Sequence, residues 1–394
     1  MSPRDVVITG IGLVSALGEG TEAHWRRLTA PNPEPVVDMQ RFAPYGVHPL
    51  PEIDWNLQIP KRGDQRQMET WQRLGTYAAG LALDDARIKG DDALCSTMDM
   101  VVAAAGGERD AAVDSAILAA SETRSDVGLL LNEKLTTELR PTLFLAQLSN
   151  LLAGNISIVQ KVTGSSRTFM GEEAAGVSAV DTAAARIRSG QSTHALVGAA
   201  LNAEHPDSLL CYELGGFLHR GPWRPVWDRA GSEGGGIMIG SGAAFLVLES
   251  REHAEKRGAP AYARIANVVS GNARRKDGFA DAIDRLFKAA DPDNRGQLVI
   301  SGASGAHAAT KAEREALDRM PARPVRAFTS LTGHLKEAQL TFGIALAALA
   351  IRHGSTYPSF DPAVEKDAAG KPEAVLATAV GFNRYEGAAL VTAA

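Results

Sequence analysis

The chain has 394 residues, 45% of them hydrophobic and 22% charged, with 39 glycines and a formal net charge of −5. That length can bury a large core and suggests two or three structural units at about 100–200 residues each, while the acidic balance argues against a nucleic-acid surface. No run approaches the roughly 18 apolar residues of a membrane helix, "MSPRDVVITG" enters a strand at once rather than a signal peptide, and two cysteines, Cys95 and Cys211, make neither a disulfide framework nor a metal cluster. The expectation is a cytoplasmic protein with no nucleic-acid or membrane partner and no metal.

Taken in chain order, "DVVITGIGLVSALG" reads as a short β-branched run followed by Gly-rich turns, and "TEAHWRRLTA" as a helix with Thr21 as its N-cap. Residues 30 to 65, rich in Pro and polar groups, form a surface excursion. "METWQRLGTYAAGLALDDARI" is an amphipathic helix and "MDMVVAAAGG" a buried strand. "LRPTLFLAQLSNLLAGNISIVQKV" reads as a further helix ending near Gly154, and "HALVGAAL" as another buried strand. "GGGIMIGSGAAFLVLESREHAEKRG" gives a turn, a strand and a helix start, and residues 260 to 269 resume strand character. Helix "GFADAIDRLFKAA", strand "QLVISGASG", helix "KAEREALDRM" and strand "VRAFTS" then repeat the opening logic. A long apolar helix in "TGHLKEAQLTFGIALAALAIRHG" and a hairpin in "AVLATAVGFNRYEGAALVTAA" close the chain. Strands and helices alternating in two similar passes imply α/β layers with sheets buried on both faces.

Chemistry concentrates in "VTGSSRTFMGEEAAGVSAVDTAAARIRSG", Val162 to Gly190. A strand running through a small-residue turn into an alanine-rich helix is how a chain presents a nucleophile, at the positive end of the helix. The corner holds no Cys and no usable Ser; it holds Glu172 and Glu173. "TGIGLVSALG" fails the G-x-G-x-x-G spacing and no acidic residue is placed to hold a ribose, so no cofactor is expected.

"RDVVITGIGLVSALG", "RPVWDRAGSEGGGIMIGSGAAFLVLESREHAEKRGA" and "SLTGHLKEAQ", in that order and spanning the whole chain, resemble the β-ketoacyl synthases, condensing enzymes of fatty-acid and polyketide synthesis. The resemblance implies a thiolase-like α/β fold: five layers, α-β-α-β-α, from two related halves (residues 1–250 and 251–394), built as a dimer. In active members an elbow Cys takes the acyl chain from a carrier protein, and a His-Gly-Thr His, a Thr-Gly-His His and a Lys serve it. By position the Cys falls on Glu173, the first His on Gly302 and the Lys on Thr329; only the second His survives, as His334. The Gly-Phe-Gly-Gly turn becomes "GFNRYEG", keeping Phe382 at the pocket with Asn383 and Arg384 in place of glycines.

The resemblance therefore implies a degenerate subunit of chain-length-factor type, without intact catalytic residues, that pairs with an active β-ketoacyl-ACP synthase, meets acyl carrier protein through that complex and shapes the acyl tunnel. Phe144, Leu145 and Leu148, in residues 139 to 155, are the candidates for the tunnel and partner surface; ordinary core packing is the competing reading. An alternative is a malonyl-ACP decarboxylase of the loading-ketosynthase type using Glu173 and His334, although Gly302 removes half of the donors that would hold the enolate oxygen. A carboxylate at Glu173 also suits a helix N-terminus as a simple cap. Glu172 is expected in solvent or paired with Arg167, and His307 in an exposed loop.

Overall fold

The computed structural model describes residues 2–366 and 370–394. Ten strands carry the fold: β1 (Val6–Ser15), β2 (Asp99–Ala104), β3 (Ser166–Met170), β4 (His194–Leu201), β5 (Gly242–Ser250), β6 (Ala263–Gly271), β7 (Leu298–Ser301), β8 (Val325–Ala327), β9 (Ala374–Val380) and β10 (Glu386–Thr392). They run in the order β8-β7-β9-β10-β6-β1-β5-β4-β2-β3, with the short Gly18–Glu19 segment added beside β1.

Divided between β5 and β6, that order is the same arrangement twice: counted within each set of five, the strands lie 3-2-4-5-1. The directions repeat as well. The second strand is parallel to the third and the fourth, and the fifth is antiparallel to the fourth and the first, in both sets. Within the sheet the two sets pair through three antiparallel residue pairs, Val6–Ile265 to Ile8–Ala263.

The helices that surround these strands and the site include α1 (Gly20–Leu28), α2 (Thr70–Asp85), α3 (Ala111–Ser121), α4 (Val127–Thr137), α5 (Pro141–Ala146), α6 (Leu151–Gln160), α7 (Glu173–Ser189), α8 (Pro206–Leu214), α9 (Phe279–Ala290), α10 (His307–Asp318) and α11 (Gln339–His353). α7 and α11 touch each other and strands of both sets, so they form the central layer; α2 and α6 cover the first set, and α9 with α10 the second. These are the five layers, α-β-α-β-α. β1, β2, β4 and β5 are buried along their whole length, so they read as unbroken apolar or small-residue runs rather than alternating ones.

Four expectations change. β1 continues through Gly10 and Gly12 to Ser15 instead of ending in turns. Those glycines let α2 lie on the strand: a Cβ at Gly12 would stand 2.0 Å from the Ala78 carbonyl oxygen. The N-cap of α1 is Glu19, not Thr21. Residues 139 to 155 are not one helix; α5 stops at Ala146, and α6 starts at Leu151 and runs past Gly154 to Gln160, where Lys161 turns left-handed. α10 begins at His307, so that histidine sits in a helix's first turn, part-buried, rather than in an exposed loop.

Candidate functional site

β3 ends at Met170, Gly171 takes φ +149°, and Glu173 already opens α7. Glycine at that positive φ makes the corner sharp enough to aim the first helical side chain inward. Glu173 is fully buried. It does not cap its own helix: Glu172 occupies the N-cap, without a side-chain cap bond. Instead the Glu173 carboxylate crosses to the second half. His334 Nε2–H donates to its Oε1 at 2.7 Å, and the Phe382 backbone N–H donates to the same oxygen at 3.2 Å. His334, also fully buried, engages its other nitrogen too, with the Tyr212 hydroxyl 3.2 Å from Nδ1. One tautomer satisfies this chain of bonds, from Tyr212 O–H to His334 to Glu173. Burial and the nearby carboxylates hold the Tyr212 phenol well above its ordinary range, which keeps it a donor.

Two donors converging on one oxygen are the arrangement that stabilises a developing oxyanion. Here they already hold the protein's own carboxylate. Phe382 closes the outer side, its ring 4.9 Å from those of both Tyr212 and Phe217 and 5.8 Å from His334. The structure thus brings Glu173, His334 and Phe382 together.

Gly302 and Thr329 are bonded elsewhere. Gln339 Nε2 donates to the Gly302 carbonyl at 2.9 Å while its Oε1 accepts from Leu335 N–H at 2.8 Å, and Thr329 Oγ1 donates to the Ala303 carbonyl at 2.7 Å. A Cβ at Gly302 would meet the Thr378 carbonyl oxygen at 2.6 Å and Gln339 Cγ at 2.9 Å. Gln339 therefore fills the room a side chain at position 302 would need.

Residues 3–254 match the family model for the β-ketoacyl synthase N-terminal domain. The chain belongs to the β-ketoacyl synthase family. It is 26% identical to the oxytetracycline polyketide putative β-ketoacyl synthase 1 of Streptomyces rimosus, over 99% of this chain and 97% of that protein. It is 28% identical to the tetracenomycin polyketide synthase ketoacyl synthase beta subunit of Streptomyces glaucescens, over 89% and 86%. Among solved structures, the ishigamide ketosynthase/chain length factor superposes over the full length of both chains with a TM-score of 0.79 at 23% identity, a likeness of fold.

Around the Glu173 corner the structure adds acids that no sequence motif marked. Glu337 is fully buried, with Lys336 Nζ 3.4 Å away. Burial, only partly offset by Lys336, raises its carboxyl above the ordinary range. Burial works against the Lys336 ammonium, yet the charges of Glu337, Glu172 and Glu173 hold it above its usual value. Glu172 is half-buried among Glu173, Lys336, Arg384 and Asn383, and burial followed by the Glu173 charge raises it; its surroundings are these groups and not Arg167 or open solvent.

Behind Gly302, Glu313 is a buried carboxyl whose Oε1 accepts from Ser301 and Thr378 hydroxyls at 2.8 and 2.6 Å, with Oε2 unpartnered among the described residues. Burial pushes it up to about 7, against those two hydrogen bonds. A carboxyl raised in the folded state contributes most below its unfolded value, and that contribution is lost as pH rises through about 7. Glu313→Gln should leave chemical-denaturation stability near pH 5 almost unchanged and raise it at pH 8 by on the order of 2–3 kcal/mol. Equal effects at both pH values would show that Glu313 is ionised throughout.

Phe144, Leu145 and Leu148 face outward, 66%, 52% and 41% exposed, while Leu143 and Leu152 beside them turn into the protein. Leu118 and Leu129 on α3 and α4, Ile158 on α6 and Met170 at the end of β3 are also exposed. Among the described residues β3 pairs only with β2, so its other edge is open. No helix among the described residues is long and apolar enough to cross a membrane.

Proposed function

We propose that this chain is a non-catalytic ketosynthase-like subunit, of the chain-length-factor type, that pairs with an active β-ketoacyl-ACP synthase and meets acyl carrier protein through it, in fatty-acid or polyketide-type synthesis. Its halves, residues 1–250 and 251–394, would correspond to those of the partner. The observation that carries the reading is Glu173: a carboxylate sits where a nucleophile is presented and occupies both donors, His334 Nε2–H and Phe382 N–H. A mixed anhydride formed there would be lost to water rather than passed on. The same occupancy counts against malonyl decarboxylation, because an enolate oxygen would need those donors free.

The outward apolar residues between β2 and β3, together with the open edge of β3, support the pairing. Large exposed apolar surface marks an interaction site, and obligate interfaces bury about 2,000–5,000 Å² in total. Phe144, Leu145 and Leu148 are then the residues that meet the partner and its growing acyl chain.

The purified chain, offered acyl carrier protein, should keep its intact mass, and malonyl carrier protein should release no carbon dioxide. Glu173→Cys should not restore condensation, since Gly302 and Thr329 remain. An active single variant would show that those positions are wrongly matched.

A further inference from the structure

The turn that carries Phe382, residues 381 to 385, is held by one side chain from another segment. Arg275 lies in the loop between β6 and α9, and its Nη2 donates to the carbonyls of both Gly381 and Tyr385 at 2.9 Å. Nη1 donates to the Ala273 carbonyl at 3.1 Å and to Glu386 Oε2 at 2.7 Å. The guanidinium plane stacks 4.1 Å from the centroid of the Phe279 ring. Glu386 is itself buried, and its Oε1 accepts the Ala273 N–H at 2.8 Å, so loop and turn are bound through both partners of this pair. The turn it grips is tight: Gly381 N–H donates to the Tyr385 carbonyl at 2.9 Å, and Tyr385 adopts φ +62°, an unfavourable region for an aromatic residue. Such a conformation persists only where its surroundings hold it.

We propose that Arg275 is a clamp that keeps this subunit's own elbow shut. By tying both ends of the 381–385 turn to the 272–276 loop, it fixes Phe382 with its N–H on Glu173 and its ring against Tyr212, Phe217 and His334. Opening the elbow requires the turn to move, and moving the turn breaks both carbonyl bonds to a guanidinium that the Glu386 ion pair and the Phe279 ring hold in place. A lysine in this position cannot reproduce the clamp, because a point ammonium lacks the planar fork that reaches two carbonyls and a carboxylate at once. The proposal rests on the reading of the chain as a non-catalytic partner, and gives that reading a physical device: a carrier-borne acyl group is refused here and is left to the partner's cysteine. As a statement about access it holds or fails without any partner.

The test places a thiol reporter in the elbow. In a Cys211→Ser background, which removes the exposed native thiol and leaves the buried Cys95, Glu173→Cys is treated with iodoacetamide and followed by intact mass. A thiol at this helix start, next to His334, is activated whenever reagent reaches it, so the rate reports access. With Arg275 present, labelling should be as slow as that of Cys95. Adding Arg275→Ala should speed it about tenfold or more, since local opening then costs less. Rapid labelling with Arg275 intact, or the same slow rate in both, overturns the proposal.

Hydrogen exchange on the otherwise native chain guards against a folding defect in the alanine variant. Arg275→Lys should lose protection at the Gly381 and Phe382 amides while β9 and β10 keep theirs. Unchanged protection at those two amides, or a loss spread evenly through β9 and β10, counts against the clamp.

Discussion

Removing the His334 imidazole should destabilise the chain by about 3–5 kcal/mol, the cost of leaving one member of a buried charged or hydrogen-bonded pair behind. His334→Ala takes the 2.7 Å partner from Glu173 and the 3.2 Å acceptor from Tyr212 at once, in a site with no exposure at either Glu173 or His334. The Glu173 carboxylate would keep only the Phe382 N–H, since its Oε2 already lacks a hydrogen-bond partner among the described residues. Urea denaturation of the isolated variant chain reads the loss as a lower midpoint at unchanged slope. Replacing both partners by apolar residues of similar size, Glu173→Met with His334→Leu, should recover part of it, because the unpaired Glu173 carboxyl is then gone, while the Tyr212 hydroxyl and the Phe382 N–H still lose their partners. A loss below about 1 kcal/mol for His334→Ala would mean that water reaches the elbow and that the pair is not sealed.

The second large effect belongs to the proposed partner surface. Leu145→Asp should cut the affinity for the active ketosynthase about a hundredfold or more, because a carboxylate at the centre of an apolar interface is desolvated without a counter-charge. The isolated chain should barely respond, with stability within about 0.5 kcal/mol of the parent, since Leu145 is 52% exposed in the single chain. That separation of effects is what distinguishes a partner-facing leucine from a core one. Changes of size that keep the apolar character, such as Phe144→Ala or Leu148→Phe, should leave pairing intact and alter the length of the product chain. A chain that forms only homodimers and ignores every ketosynthase offered would end the pairing proposal.

The parts of this protein that the sequence announces are those governed by local rules. Buried strands such as β2 and β4 show as unbroken small or apolar runs, and α2 and α11 show as long apolar-rich helices. Their alternation in two passes matches the doubled 3-2-4-5-1 order of the sheet. Local rules also misled. Gly10 and Gly12 signal a turn to any reader of sequence, yet here they serve the close approach of α2 to β1, a contact made with residues about seventy positions away. The run from residue 139 to 155 is apolar enough for one helix, and the break at 147 to 150 carries no Pro or Gly to announce it.

In the elbow, Glu173 and His334 were legible because each sits in a recognisable turn. Tyr212, Gln339 and Arg275 were not: their bonds to His334, Gly302 and Gly381 span 122, 37 and 106 positions. No periodicity records such contacts. Glu172 was misplaced for the same reason, since Lys336 and Arg384, which surround it, come from the other half of the chain.

The most direct test of the central claim is co-expression with an active β-ketoacyl synthase, followed by loading from acyl carrier protein and native and intact mass spectrometry of the complex. The expected result is a 1:1 heterodimer in which acyl mass appears only on the partner's elbow cysteine, while this chain, carrying Glu173, stays unmodified. Acyl transfer to this chain, or carbon dioxide release from malonyl carrier protein by this chain alone that falls on His334→Ala, would contradict it.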